Sequence, residues 1–113
     1  MKSAYAPEEG DIVWLNFTPQ SGHEQAGRRP AVVLSPLAYN QRSGLIVCVP
    51  ITSQVKGYPF EVPLSGGGAL GVALADQIKS LDWKSRQAER KGQATAAELA
   101  DIKARIKALL QLP

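Results

Sequence analysis

The run Glu24-Gln25-Ala26-Gly27-Arg28-Arg29-Pro30-Ala31-Val32-Val33-Leu34-Ser35 sets two arginines between a polar, glycine-containing loop and an apolar strand. An arginine at a strand mouth is held by the sheet rather than by a floppy loop. Its guanidinium is always charged, and its planar fork matches phosphate oxygens. The segment therefore has the chemistry to hold a phosphate. A second segment, Pro50-Ile51-Thr52-Ser53-Gln54, ends another apolar strand in two hydroxyls. Whether the two strand ends meet decides what they can do together, and sequence separation leaves that open.

If they do meet, the residue types suit cleavage of RNA without metal. In that reaction the ribose 2′-OH attacks the adjacent phosphorus and expels the 5′-oxygen, which leaves a cyclic phosphate. It needs proton transfer and stabilisation of a charged phosphorane. Arg29 can supply the charge. A fixed Thr52 hydroxyl can donate to a phosphoryl oxygen, and Glu24 can accept the 2′-OH proton if its pKa is suitably tuned. Arginine is a poor general acid because its pKa lies above about 12, so Arg29 is read as mainly electrostatic. His23 is the only histidine. It could shuttle protons near neutral pH or be a solvated loop residue.

The elements that must position these groups are strands first and a helix last. Residues 11–17, rich in β-branched and aromatic types after Gly10, read as a strand. Residues 18–27 hold Pro19, Ser21, Gly22 and Gly27 and read as a long polar loop of the kind that often carries function. Residues 29–35 read as the second strand and 36–43 as a short helical turn stopped by Gly44. Residues 45–52 are apolar on both faces and read as a central, doubly covered strand. A loop with Lys56 and Gly57 follows. Residues 60–64 are a short strand in which Pro63 argues for an edge. The Ser65-Gly66-Gly67-Gly68 run reads as a turn, because a phosphate-cradling loop would need a following Lys-Ser/Thr and a helix. Residues 72–81 form one or two more strands. Then the period changes: Thr95 and Glu98 make a capping box, and Leu99, Ile102, Ile106 and Leu109 recur at helical spacing over 96–110. Many short strands with one terminal helix suggest a mainly β fold, a small barrel, over a single domain of residues 1–113.

Bulk properties narrow the class. The chain has 113 residues and a formal net charge of +3, with a pI near 9.2, which is compatible with a polyanion partner. One cysteine allows no intrachain disulfide, and one histidine with one cysteine cannot supply a zinc cluster. No metal or other cofactor is expected. Cys48 reads as a buried small hydrophobe. No segment has signal-peptide or transmembrane character, so a cytoplasmic location is expected. Among the aromatics, Trp14, Phe17, Tyr58, Phe60 and Trp83 could stack bases, but Trp14 and Phe60 read as core. Lys56, Lys79, Lys84 and Arg86 are a solvated surface unless they lie near Arg29, where they would track a phosphate backbone.

At these residues the chain resembles a known family. The segments Gly10-Asp11-Ile12-Val13-Trp14, Glu24 to Ser35, Val49-Pro50-Ile51-Thr52 and Gly71-Val72-Ala73-Leu74-Ala75-Asp76-Gln77-Ile78-Lys79-Ser80 resemble, in order, the MazF/PemK toxins of bacterial type II toxin–antitoxin pairs. The Glu-Gln-x-Gly-x-Arg-Pro motif is specific, and Lys56-Gly57-Tyr58-Pro59-Phe60-Glu61-Val62 places the resemblance on the MazF side.

The resemblance implies a metal-independent endoribonuclease that cuts single-stranded RNA, including mRNA, at short sequences, on an SH3-like barrel assembled as a homodimer. The family's catalytic arginine falls on Arg29, its threonine on Thr52 and its loop glutamate on Glu24. RNA contacts fall on Gln25, Gln77 and Lys79, and also on Asn40, Ser53, Lys56 and Asp76. His23 stands where other members can carry serine, which favours an RNA-contact role for it over an essential catalytic one. The implied partner is an antitoxin with an acidic, partly disordered tail that folds over the RNA groove. Two other classes share the barrel: a toxin that poisons DNA gyrase by protein binding, and an inert SH3-like binding module. The first has no use for Arg29 and Thr52. The second leaves the Glu24–Arg29 loop unexplained.

Overall fold

The computed structural model describes residues 5–17, 27–65 and 71–113. Seven strands and two helices follow in the order β1 (Asp11–Phe17), β2 (Gly27–Val33), α1 (Leu37–Ser43), β3 (Leu45–Thr52), β4 (Glu61–Leu64), β5 (Gly71–Leu74), β6 (Lys79–Asp82), β7 (Glu89–Gln93) and α2 (Ala96–Leu110). Every strand pairing is antiparallel, in the order β4-β5-β3-β2-β1-β7, with β6 added to β3. β3 is the hub: it pairs with β2, β5 and β6. This is the expected mainly β barrel with a terminal helix.

Two apolar clusters lie on the two faces of the sheet. Ile12, Val32, Val49, Ile51, Val62 and Ala73 build one, and α2 closes it by burying Ile102 completely, with Leu99 and Ile106 beside it. Val13, Leu15, Ala31, Val33, Ile46, Cys48 and Trp83 build the other. The alternation of period two along β1 and β2 sends successive residues to opposite clusters. β4 is an edge strand, as Pro63 requires. Burial pushes the Cys48 thiol up to about 12, so it behaves as the small hydrophobe its apolar run implies.

The helix α2 starts and stops as its sequence dictates. The Thr95 side chain accepts from the Glu98 amide, and the Glu98 carboxylate accepts from the Thr95 amide. Glu98 also accepts from the Ser65 amide and hydroxyl, which ties the helix start to the end of β4. Leu109, Leu110 and Leu112 remain exposed at the other end. Among the described residues no helix is long and apolar enough to cross a membrane.

Three expectations change. β7, with the sequence ERKGQ, carries no apolar alternation. It is a strand because β1 offers its free edge, with a register shift at Ile12/Val13. β2 begins two residues earlier than expected and ends at Val33, because Ser35 leaves the ladder to receive the Val47 amide and donate to Asn40. Trp14 joins neither core cluster: it is half-buried, with the Lys91 ammonium 4.9 Å from its ring centroid.

Candidate functional site

The strand register answers whether the two polar strand ends meet. Ala31 faces Pro50, Val32 faces Val49 and Val33 faces Cys48 across the β2–β3 ladder. That ladder ends at Ala31 and Pro50, two residues short of Arg29 on one strand and Thr52 on the other. Both residues are half-buried. The ladder thus sets side by side the two strand ends that carry Arg29 and Thr52, although neither residue lies near the other in sequence.

The register also separates the two arginines. Arg28 faces Asn16 on β1. Its guanidinium donates to the Asn16 side chain at 2.7 Å, to the Gln87 carbonyl at 2.7 Å and to Glu89 at 3.0 Å. It is a structural tie between β1 and the approach to β7. Arg29, facing Leu15, has no hydrogen bond or ion pair from its guanidinium among the described residues. Of the two, Arg29 is the fork left for an anion.

Thr52 is fixed from two sides. Its hydroxyl oxygen accepts from the Gln54 amide at 3.1 Å, which leaves its own O–H to donate outward. Its backbone pairs with Val72 of β5. Gly71, one residue earlier, packs directly against the Thr52 carbonyl and the Ser53 backbone. Thr52, Gln54, Lys56, Asp76 and Gln77 then line one cleft of about 160 Å³ with Tyr58, Phe60, Glu61 and Leu74. Ser53 is exposed next to it, and Lys79 is exposed at the start of β6. The Lys56 ammonium lies 5.9 Å from the Tyr58 ring centroid.

Asn40 must be corrected. It was expected among the RNA contacts, yet it is completely buried. Its amide nitrogen donates to the Pro7 and Ser35 carbonyls, its side-chain oxygen accepts from the Ser35 hydroxyl, and its backbone carbonyl accepts from the Trp83 indole. Every polar group of that side chain is committed inside the fold, and Trp83, held by the same residue, is buried too. His23, Glu24 and Gln25 lie outside the described residues, as do Gly66, Gly67 and Gly68. Gly71 and Glu61 stand in the resembling segments without an assigned role; the structure packs Gly71 against the Thr52 carbonyl and buries Glu61 beneath an exposed loop.

Fold and strand ends together define a class: a small antiparallel barrel capped by one helix, with a cleft where β3 and β5 end and β4 begins. The family of PemK-like, MazF-like toxins of type II toxin–antitoxin systems matches residues 8–110. The chain is 56% identical over 110 residues to the endoribonuclease toxin MazF of Escherichia coli K12, covering 97% of this chain and 99% of that one. It is 36% identical to the endoribonuclease toxin ChpB of the same organism, covering 92% and 94%. In a crystal structure of MazE-MazF from Deinococcus radiodurans, a chain superposes with a TM-score of 0.92 at 54% identity, covering 97% of this chain and 100% of that one. The chain belongs to the PemK/MazF toxin family, and it is an endoribonuclease toxin.

Proposed function

We propose that this toxin cuts single-stranded RNA at short sequences by metal-independent transesterification, with Arg29, Thr52 and Glu24 as its catalytic residues. The 2′-oxygen forms a bond to phosphorus while the bond from phosphorus to O5′ breaks. The 2′-OH proton passes to the Glu24 carboxylate, and solvent water supplies a proton to O5′ as it leaves. The products carry a 2′,3′-cyclic phosphate and a free 5′-OH. Arg29 stabilises the charge that grows on the phosphoryl oxygens, and the outward Thr52 hydroxyl donates to one of them. The observation that supports the reading is the β2–β3 ladder, which pairs the strand that carries Arg29, whose guanidinium has no hydrogen bond or ion pair among the described residues, with the strand that ends in the fixed Thr52 hydroxyl.

Ser53, Lys56, Asp76, Gln77 and Lys79, with His23 and Gln25 on the loop before β2, are the proposed RNA contacts. Four of the five described ones are exposed around the cleft or its loop, and Lys79 is exposed on β6. The site of action is the cytoplasm, where a chain with a single, buried cysteine is at home. The partner is an antitoxin with an acidic segment that competes with RNA for this basic protein. The working unit is a homodimer, for which the exposed Leu109, Leu110 and Leu112 offer apolar surface.

The test is incubation with a long RNA in EDTA, followed by end analysis. Discrete fragments ending in cyclic phosphate and beginning with 5′-OH are expected. Strict dependence on Mg²⁺ would overturn the mechanism. Intact RNA together with inhibition of DNA gyrase would move the chain to the protein-binding class.

A further inference from the structure

We propose that Glu61 is a positioning residue for RNA recognition: by accepting hydrogen bonds from the Lys56 and Gly57 amides, its carboxylate fixes where Lys56 stands against Tyr58 at the cleft. The inference rests on reading that cleft as the RNA site.

The loop between β3 and β4 has almost nothing else to hold it. Residues 53–59 are all exposed, including Val55 and Tyr58, which are 63% and 60% accessible. No apolar side chain of the loop is buried beneath it. Glu61, at the start of β4, is only 8% accessible. One of its oxygens accepts from the Gly57 amide at 2.9 Å and the other from the Lys56 amide at 3.0 Å. A buried carboxylate is costly unless it is hydrogen-bonded, and here the loop's own backbone supplies the donors. The chain can fold back onto Glu61 because Gly57 adopts φ +81, a region glycine enters freely.

The rest of the hairpin is anchored to the scaffold rather than to the loop tip. The Glu61 amide donates to the Tyr58 carbonyl, the Ala75 amide donates to the Phe60 carbonyl, and Arg105 of α2 donates to the Pro59 carbonyl. These contacts hold residues 58–60. Residues 56 and 57 depend on the carboxylate. Lys56 also lies over the Tyr58 ring, so a fixed Lys56 backbone presents a cation and an aromatic face as one unit beside Thr52. A base stacked on such a face and a phosphate beside such a cation is how single strands are gripped. Glu61 itself reaches RNA through neither; it acts through the two amides.

The test compares Glu61→Gln and Glu61→Ala with wild type in amide hydrogen exchange, in steady-state cleavage of a short single-stranded RNA, and in the cleavage pattern on a long RNA. In Glu61→Ala the Lys56 and Gly57 amides should exchange about tenfold or more faster. KM should rise about tenfold with kcat nearly kept, because loose positioning weakens binding rather than chemistry, and extra cuts should appear on the long RNA. Glu61→Gln keeps one accepting oxygen and should fall between. Unchanged exchange would overturn the clamp. Faster exchange with an unchanged KM and pattern would overturn the link to RNA, as would a fall in kcat at constant KM. Should Glu61→Ala not fold, Glu61→Gln decides alone: a raised KM supports the proposal and a wild-type KM overturns it. Thr52→Val serves as the control. If it cleaves RNA normally, the reading of the cleft fails; if it is inactive while both Glu61 variants match wild type, only the present inference fails.

Discussion

A β-carbon added to Gly71 would stand 2.1 Å from the carbonyl oxygen of Thr52 and 2.8 Å from its carbonyl carbon. Both obstructing atoms are backbone, so neither can swing aside. Gly71 also has φ +129, a conformation that a residue with a side chain rarely adopts. The glycine is thus what lets β5 close on the end of β3 and set the orientation of Thr52.

Gly71→Ala should therefore act twice. Overpacking and backbone strain each cost about 1–3 kcal/mol, so the thermal midpoint should drop by several degrees. The remaining folded protein should cleave RNA far more slowly, because Thr52 is displaced. A folded Gly71→Ala protein with wild-type midpoint and wild-type rate would contradict the role given to this contact.

Asn40→Ala should damage the fold and spare the chemistry. It removes the acceptor for the Ser35 hydroxyl proton and the donor to the Pro7 and Ser35 carbonyls in the interior. Each buried group left without a partner costs about 1–3 kcal/mol, less where a water can enter. Chemical denaturation should show a large loss of stability, while kcat and KM per folded molecule should stay near wild type. A stable Asn40→Ala protein with weakened RNA binding would return Asn40 to the RNA contacts.

Glu98 gives the protein an acid-side dependence. Partial burial disfavours its charged form, but the amide and hydroxyl donors of Thr95 and Ser65 outweigh this and hold its pKa below the usual carboxylate value. A pKa lower in the folded than in the unfolded state means stabilisation that is present above the unfolded value and lost as pH falls through the folded one. Stability should decline below roughly pH 5, and Glu98→Gln should flatten that decline. At neutral pH the variant should lose about 1 kcal/mol, a modest cap contribution at a solvent-accessible site. Asp82, lowered mainly by the Ser85 amide, leaves part of the slope in place. Equal acid slopes for wild type and Glu98→Gln in urea titrations would refute this assignment.

Where local chemistry decides an element, the sequence was legible. Residues 45–52 and 96–110 fall where their apolar run and their capping box put them. Arg29 and Thr52 were recognisable as types, but only the folded chain shows that β2 pairs with β3 and that Arg28 is spent on Asn16, Gln87 and Glu89. β7 was hidden because its residues are polar and its strand exists through the free edge of β1. Asn40 misled because its RNA-contact role came with the family resemblance, whereas α1 turns it inward onto Pro7, Ser35 and Trp83. Glu61 and Gly71 were hidden for a common reason: their partners are backbone groups brought near by the fold, and a one-dimensional pattern does not record them.

The most direct test of the account is the rate at which folded Arg29→Ala cleaves a single-stranded RNA in EDTA, with folding verified by thermal melting. Losing a main electrostatic stabiliser costs about 10²–10³ in rate. The account predicts a loss of at least that size with an unchanged melting temperature, since Arg29 has no structural partner among the described residues. Cleavage at the wild-type rate by the folded variant would contradict it.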